Sequence, residues 1–448
     1  MEFGDLLFSL IKIVGVVAYL YGLLWAVGQK KWWAKLLGIV VAFGIIQLAL
    51  TTFGDFQLLN NFDSGLLFQA CTISMVALGL NLIYGFNGQF SLGQFGFYGL
   101  GAYAAADITF RWTSGDASGM MVLGLGVILA GGAIWAINLY LGRFRRTPVL
   151  SSFTLYLIGV IIAGIIAYYI GNGIASALNP LLVADGVLQS AGAIQVVFFL
   201  SVILAGAFAA IVAFLFGLPV LSLGSDYFGI ATLGFTIVVN TLLVNSDTIL
   251  PFPEMKGGRG MIGIPQLTNW FWAFFFLLMV LVIMRNLIQS SAGRAILSVR
   301  EDETASKAMG INIANTKLMA FVIGSFFAGI GGAVYAHYLA FLSPSTFDFI
   351  AGFNPLIIVV FGGLGSMTGT VAASFGWIFF LEGLLRVLLG KMGTEAPSWR
   401  FVLYPISLLL LMLLRPEGLL GTREWGFLKA EVFAPFKKKE VAAVKAEE

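Results

Sequence analysis

Apolar residues in this chain come in long unbroken runs parted by short polar links. Thirteen runs are read, at 6–28, 36–54, 65–84, 92–110, 119–141, 149–171, 194–217, 226–246, 269–288, 318–342, 347–363, 367–389 and 401–414. A helix needs about 20 mostly apolar residues to cross the hydrocarbon core of a bilayer, and most of these runs are that long. They are continuous rather than alternating, which excludes a transmembrane barrel. The pattern predicts an all-α polytopic membrane protein with about 10–13 apolar segments, some broken or re-entrant. The short runs 347–363 and 401–414 are expected as half-helices, which are tolerated at membrane depth when buried in protein or lining a cavity.

Composition agrees: 59% of residues are hydrophobic and 10% are charged, so the polar links hold most of the information. Basic residues cluster in four of them: Lys30, Lys31 and Lys35; Arg143, Arg145 and Arg146; Arg285, Arg294, Arg300, Lys307 and Lys317; and Arg415, Arg423 and Lys437–Lys439. If all thirteen runs cross, these clusters share one side, and the positive-inside rule makes that side cytoplasmic. The expectation is an external N-terminus and a cytoplasmic C-terminus. Met1, Glu2 and Asp5 give no basic leader, so 6–28 reads as a retained helix. Residues 423–448 read as a charged cytoplasmic tail, solvated or resting on lipid. Cys71 lies in an apolar run and reads as a core residue, and the single histidine, His337, excludes a multi-histidine metal site. His337 itself reads as a packed or interfacial residue.

The segment Ser298–Asn312, "SVREDETASKAMGIN", concentrates charge on the basic side of an oily chain. Ser298 and Glu301 have capping-box spacing, Glu301, Asp302 and Glu303 suit the positive end of a helix dipole, and Glu303–Lys307 is an i, i+4 pair. Gly310 provides a stop. One helix of about eleven residues, roughly 16 Å, is expected. It is suited either to docking on a soluble partner or merely to connecting two spans.

Three glycine-rich stretches carry polar groups inside apolar sequence: Gly79–Ala106, Ser222–Asn240 and Val359–Phe375. Asn81, Asn87, Gln89, Ser91, Gln94 and Thr232 must find partners or water, because an unpartnered buried polar group is costly. They face other helices or a translocation path. Gly85, Gly88, Gly93, Gly362, Gly363, Gly365 and Gly369 read as structural glycines, with a break in the helix expected near Gly85–Gly93. No glycine-rich stretch is followed by the Lys-[Ser/Thr] of a phosphate loop, and no hydrolase or zinc-protease motif is present, so an enzyme is not expected. Glu382, with Arg386 one turn on, is the one acid singled out inside an apolar run, a candidate for the path or for structural pairing.

The stretches "GLNLIYGFNGQFSLGQFGFYGLGAY", "DYFGIATLGF", "GRAILSVREDETASKAMGIN", "VVFGGLGSMTGT" and "LRPEGLLG" occur in an order that resembles the branched-chain amino-acid ABC transporter permeases, LivM-like more than LivH-like. The resemblance covers 63–422, leaving 1–62 as an extension with two helices. It implies an importer subunit in a bacterial-type inner membrane that pairs with a homologous permease, most simply as a heterodimer. Two ABC ATPase subunits using ATP and Mg, an external binding protein and membrane lipid are the other implied partners, with no nucleic acid and no cofactor or metal on this chain. It places a coupling helix in the cytoplasmic loop 289–317, on Arg300, Glu301, Asp302, Glu303, Ala305, Lys307, Ala308 and Gly310. The generic E-A-A-x-x-x-G register is shifted, with Thr304 six residues before Gly310, and Arg143–Gln195 matches the family poorly. Permeases for urea and short amides share these motifs and are the alternative. An ion-coupled secondary transporter, which would rest on Glu382, is a further one.

Overall fold

The computed structural model describes residues 3–29, 31–50, 61–142, 149–184, 190–221, 225–249 and 253–380, with isolated positions between 406 and 428. Glu382, Arg386, Arg143–Arg146, nearly all of run 401–414 and the tail beyond 428 lie outside the described residues.

The apolar runs become helices. They are α1 (Phe3–Val27), α2 (Trp32–Leu50), α3 (Asn61–Leu80), α4 (Gln94–Thr113), α5 (Ser118–Leu141), α6 (Val149–Ala184), α7 (Ala191–Val220) and α8 (Ser225–Val244). After the short α9 (Ser246–Ile249) come α10 (Trp270–Gln289), α11 (Ser291–Glu301), α12 (Glu303–Ala308), α13 (Ile313–Leu339), α14 (Phe353–Gly362) and α15 (Met367–Ile378). Among the described residues seven helices are long and apolar enough to cross a membrane. Two residue pairs form a small antiparallel ladder, β1 (Met261–Ile262) against β2 (Phe341–Leu342), with Met261 opposite Leu342.

α13 is the hub, packed against α3, α4 and α7. Lipid supplies no hydrophobic drive for helices to associate, so close approach of small residues must hold them together. A Cβ on Gly332 would lie 1.9 Å from the Tyr98 carbonyl oxygen, and one on Gly101 would lie 2.2 Å from that of Gly329. At these points backbone touches backbone. The span Phe62–Phe86 is accordingly 89% buried, whereas Ser118–Leu141 is 6% and Ser151–Pro180 17% buried. The α5–α6 hairpin is therefore the periphery of the bundle.

One expectation needs correction, and another holds with shifted bounds. Run 149–171 extends to Ala184 as one 36-residue helix, so 172–184 is helix and not an external link. The alanines, leucines and isoleucine between Gly173 and Leu182 carry it through the glycine and asparagine positions. Run 347–363 is helical only from Phe353, giving a ten-residue α14 of roughly 15 Å, about half the hydrocarbon thickness.

The half-helix α14 turns back through Gly363–Ser366 into α15. Gly363 and Gly365 take φ +112° and +83°, a region that favours glycine. Leu419 N donates to Phe361 O at 2.8 Å and Leu420 N to Gly362 O at 3.3 Å, pairing carbonyls at the end of α14. Glu424 caps α15, accepting from Met367 N at 2.6 Å, from Thr368 N at 2.9 Å and from the Thr368 hydroxyl. Burial pushes the Glu424 carboxyl from its ordinary 4.5 up to about 7, against the hydrogen bonds from Thr368 and Met367.

Gly332→Val is expected to wedge α4 from α13 and abolish the monodisperse folded protein in detergent size-exclusion chromatography. Gly376→Ala, with nothing within 4 Å of the added carbon, is expected to leave it unchanged. Between about pH 4.5 and 7 the folded chain keeps a proton on Glu424 that the unfolded chain has released. The thermal unfolding midpoint should therefore fall as pH rises through that window, and Glu424→Gln should flatten the slope.

Candidate functional site

The segment expected as one charged helix is two helices. α11 starts before the charges, at Ser291, where the Ser290 hydroxyl accepts from Gly293 N at 3.2 Å. Gly293, Ile296 and Val299 form its buried stripe, and that stripe is the sequence signal for the earlier start. Ser298 is therefore inside the helix, its hydroxyl donating to Ala295 O at 2.9 Å, and it caps nothing. The cap is Asp302, which is extended at φ −157° and accepts from Thr304 N at 2.7 Å and Ala305 N at 3.0 Å. An aspartate that satisfies two orphan amides starts a new helix rather than continuing the old one. Glu303 is not paired with Lys307 as expected; it accepts from Lys317 Nζ at 2.6 Å, on the first turns of α13. Gly310 ends the segment at φ +86°. Glu301, Glu303, Ala305, Lys307 and Ala308 are exposed, and Met309 is 83% exposed at the tip.

Arg300 joins this segment to the bundle. Its side-chain carbons pack on Gly88, 3.4 Å from where a Cβ would stand, and its guanidinium lies 3.0 Å from the corresponding point on Gly365. Both glycines have positive φ. Above them, α3 passes into a π-helical stretch at Asn81–Phe86 and then breaks through 87–93 before α4 begins. This is the break expected near Gly85–Gly93. Single π turns inside α-helices occur frequently at functional sites.

Asn81 spans the gap to the 363–370 turn. Its Nδ2 donates to Ser366 O at 2.9 Å and to Thr370 Oγ1 at 2.8 Å, and its Oδ1 accepts from Gly365 N at 2.9 Å. A Cβ on Gly85 would collide with both Asn81 Oδ1 and Gly365 N. Gly362 and Gly369 meet equally closely, each placing a Cβ within 2.4 Å of the other's carbonyl oxygen. Thr232 of α8 fixes the other side: its hydroxyl accepts from Leu92 N at 3.0 Å and stands against Gly93. Asn87 Nδ2 donates to Gln89 Oε1 at 2.8 Å, and Ser91 Oγ accepts from Gly93 N at 3.4 Å. Gln94 is 2% exposed, with no hydrogen-bond partner for its carboxamide among the described residues. The structure thus brings Asn81, the structural glycines and Arg300 together. Asn81, Asn87, Gln89, Ser91, Gln94 and Thr232 are packed against protein, and none lines either cavity described next.

One cavity, of about 140 Å³, lies among α3, α4, α13, α14 and α15; a larger one, of about 460 Å³, lies between the α5–α6 hairpin and α4, α7 and α8. The far end of the larger cavity reaches an ionic cluster that the sequence reading missed. Arg111 Nε donates to Asp107 Oδ1 at 3.0 Å and to Glu254 Oε1 at 2.8 Å, and Nη1 donates to Ser118 Oγ at 3.0 Å. Burial acts against ionisation of Glu254, but hydrogen bonds from Asp107 and Arg111 and the Arg111 charge hold its carboxyl below the usual range. Asp107 was passed over because it sits near the end of an apolar run; the Asp-x-x-x-Arg spacing was its signal. His337, packed as expected, is fully buried, with Nδ1 donating to Ala333 O and Nε2 2.7 Å from the Thr109 hydroxyl. Among the described residues no group of three or more His, Cys, Asp or Glu is placed to hold a metal.

The family described as "Branched-chain amino acid transport system / permease component" matches residues 63–180 and 146–413. The high-affinity branched-chain amino acid transport system permease protein LivM of Escherichia coli (strain K12) is 32% identical over 252 residues, 48% of this chain and 56% of that relative. The probable branched-chain amino acid transport permease protein LivM of Methanocaldococcus jannaschii is 24% identical over 286 residues, 59% of this chain and 76% of that protein. LivH of Escherichia coli (strain K12) is 24% identical over 208 residues, 44% of this chain and 64% of its own. The chain spans little more than half the length of the LivM relative from Escherichia coli. No solved structure matches it. With most of its length, from 63 to 413, matched and its helices apolar and long enough to cross a membrane, the chain belongs to the permease family of the branched-chain amino acid transport systems.

Proposed function

We propose that this chain is a transmembrane permease subunit of an ATP-driven importer for branched-chain or related aliphatic amino acids. In this reading a homologous second permease pairs with it, two ABC ATPases bind the α11–α12 face, and an external binding protein delivers substrate. The membrane is the bacterial-type inner membrane, with the N-terminus outside and the C-terminus cytoplasmic. The observation that carries the mechanical part is the contact of Arg300 with Gly88 and Gly365. It gives a force applied to α12 a rigid route, through Arg300, into the Asn81-bound turn between α14 and α15. Exposed Met309 beside exposed Lys307 offers an apolar tip and a charge to a soluble partner. In this reading ATP and Mg belong to the partner subunits. The same proposal keeps Glu382 and the polar groups of Gly79–Ala106 as candidates bordering the translocation path.

Charge reversal at Glu301–Glu303, or Gly310→Pro, is expected to lower uptake at least tenfold in cells while the chain still inserts; unchanged uptake would sink the coupling role. The Glu303–Lys317 pair is half-exposed and worth only about 0–1 kcal/mol, so reversal at Glu301 and Glu303 alone, which keeps the Asp302 cap, reports on docking. Asn81→Leu removes three cross-helix hydrogen bonds and is expected to cost roughly 2–3 kcal/mol, read as a lower unfolding midpoint in detergent together with lost uptake.

A further inference from the structure

We infer that the smaller cavity is a station for a zwitterionic aliphatic amino acid on its way through this subunit, an assignment that rests on the importer reading above. The cavity lies beside Thr72, near the middle of the Phe62–Phe86 span. Its volume of about 140 Å³ is well above the roughly 10–15 Å³ that one water needs.

The polar groups that line it are Gln69, Thr72, Tyr98, Tyr335, Thr346 and Asn354, and among the described residues no charged one is in its walls. An ion of net charge would therefore meet no counter-charge at this depth, which is costly. A zwitterion carries its two charges on adjacent atoms, and neutral hydrogen-bonding groups can serve both. Gln69 and Asn354 are half-buried and contribute to the cavity wall. Asn354 is the second residue of the half-helix α14, whose start is Gly352 with no side-chain cap. The positive end of a half-helix favours a carboxylate. Gln69 and Thr72 sit on α3, where a carboxamide or hydroxyl oxygen can accept from an ammonium group. The remaining wall is apolar and includes Ile73, Ile358 and Trp377. Urea would leave that wall facing water, and an aliphatic side chain would cover it. The cavity thus favours the amino acid over the amide.

The test uses whole cells carrying the full chain with its companion subunits. Cys71 is fully buried and is replaced by Cys71→Ser, and Asn354→Cys then places a thiol in the cavity. Valine is expected to slow its alkylation by a small maleimide several-fold, and glutamate, lysine and urea are expected not to. Ile358→Ala, which enlarges the apolar wall, is expected to raise the phenylalanine-to-valine uptake ratio by about tenfold. Absence of valine protection, equal protection by glutamate or urea, or an unchanged ratio would overturn the assignment. Wild-type valine uptake, run in parallel, separates the two failures. Its absence overturns the importer reading, whereas its presence with an unprotected thiol overturns the cavity alone.

Discussion

Backbone that leaves the helix at membrane depth must find its hydrogen-bond partners inside the protein. Asn81 meets that requirement for the turn between α14 and α15, accepting from Gly365 N and donating to Ser366 O and Thr370 Oγ1. The loop after α3 and the half-helix hairpin are both irregular, and each is held by the other. Leu419, Leu420 and Glu424 complete the partners of the hairpin, and Thr232 serves the loop after α3 through Leu92 N. The glycines on both sides follow from the Asn81 clamp, since a Cβ at Gly85 or Gly362 would hold the two backbones apart.

The clamp also explains why the charged segment enters the bundle where it does. Arg300 occupies the space left by Gly88 and Gly365, directly below the hydrogen bonds of Asn81. α11 is anchored by its buried Ile296 and Val299, and α12 is tied to α13 through Glu303 and Lys317. Three stretches far apart in sequence thus share one rigid junction. In the proposed importer, the small polar cavity lies above this junction and is bounded by the same half-helix. A displacement of the α14–α15 turn would therefore change the walls around substrate.

At the opposite end the bundle is closed by charge. Arg111 gathers Asp107, Glu254 and Ser118, and the β1–β2 ladder joins the 261–262 segment to the exit of α13. The α5–α6 hairpin leans on this end with most of its surface exposed. Close approach at glycine recurs in the hairpin, where a Cβ on Gly171 would lie 2.8 Å from the Val122 Cα.

The helices themselves were legible because a run of apolar residues near twenty long has one stable solution in a bilayer. The break at Gly85–Gly93, the half-helix after 347 and the stop at Gly310 were legible too, because glycine and short length constrain backbone locally. The capping of the charged segment was misread. Ser298 and Asp302 both have local signals for a helix start, and only the burial of Ile296 and Val299 against the bundle decides between them. The Glu303 partner, the Asp107–Arg111–Glu254 cluster and the small cavity depend on residues 14 to 309 positions apart. Sequence alone fixed a membrane-spanning helical chain with irregular glycine-rich joints, since hydropathy and backbone sterics act within a few residues. Which joints meet, and which polar groups face a cavity rather than one another, was decided by tertiary packing, because hydrogen bonds such as Asn81 to Ser366 exist only once distant helices are side by side.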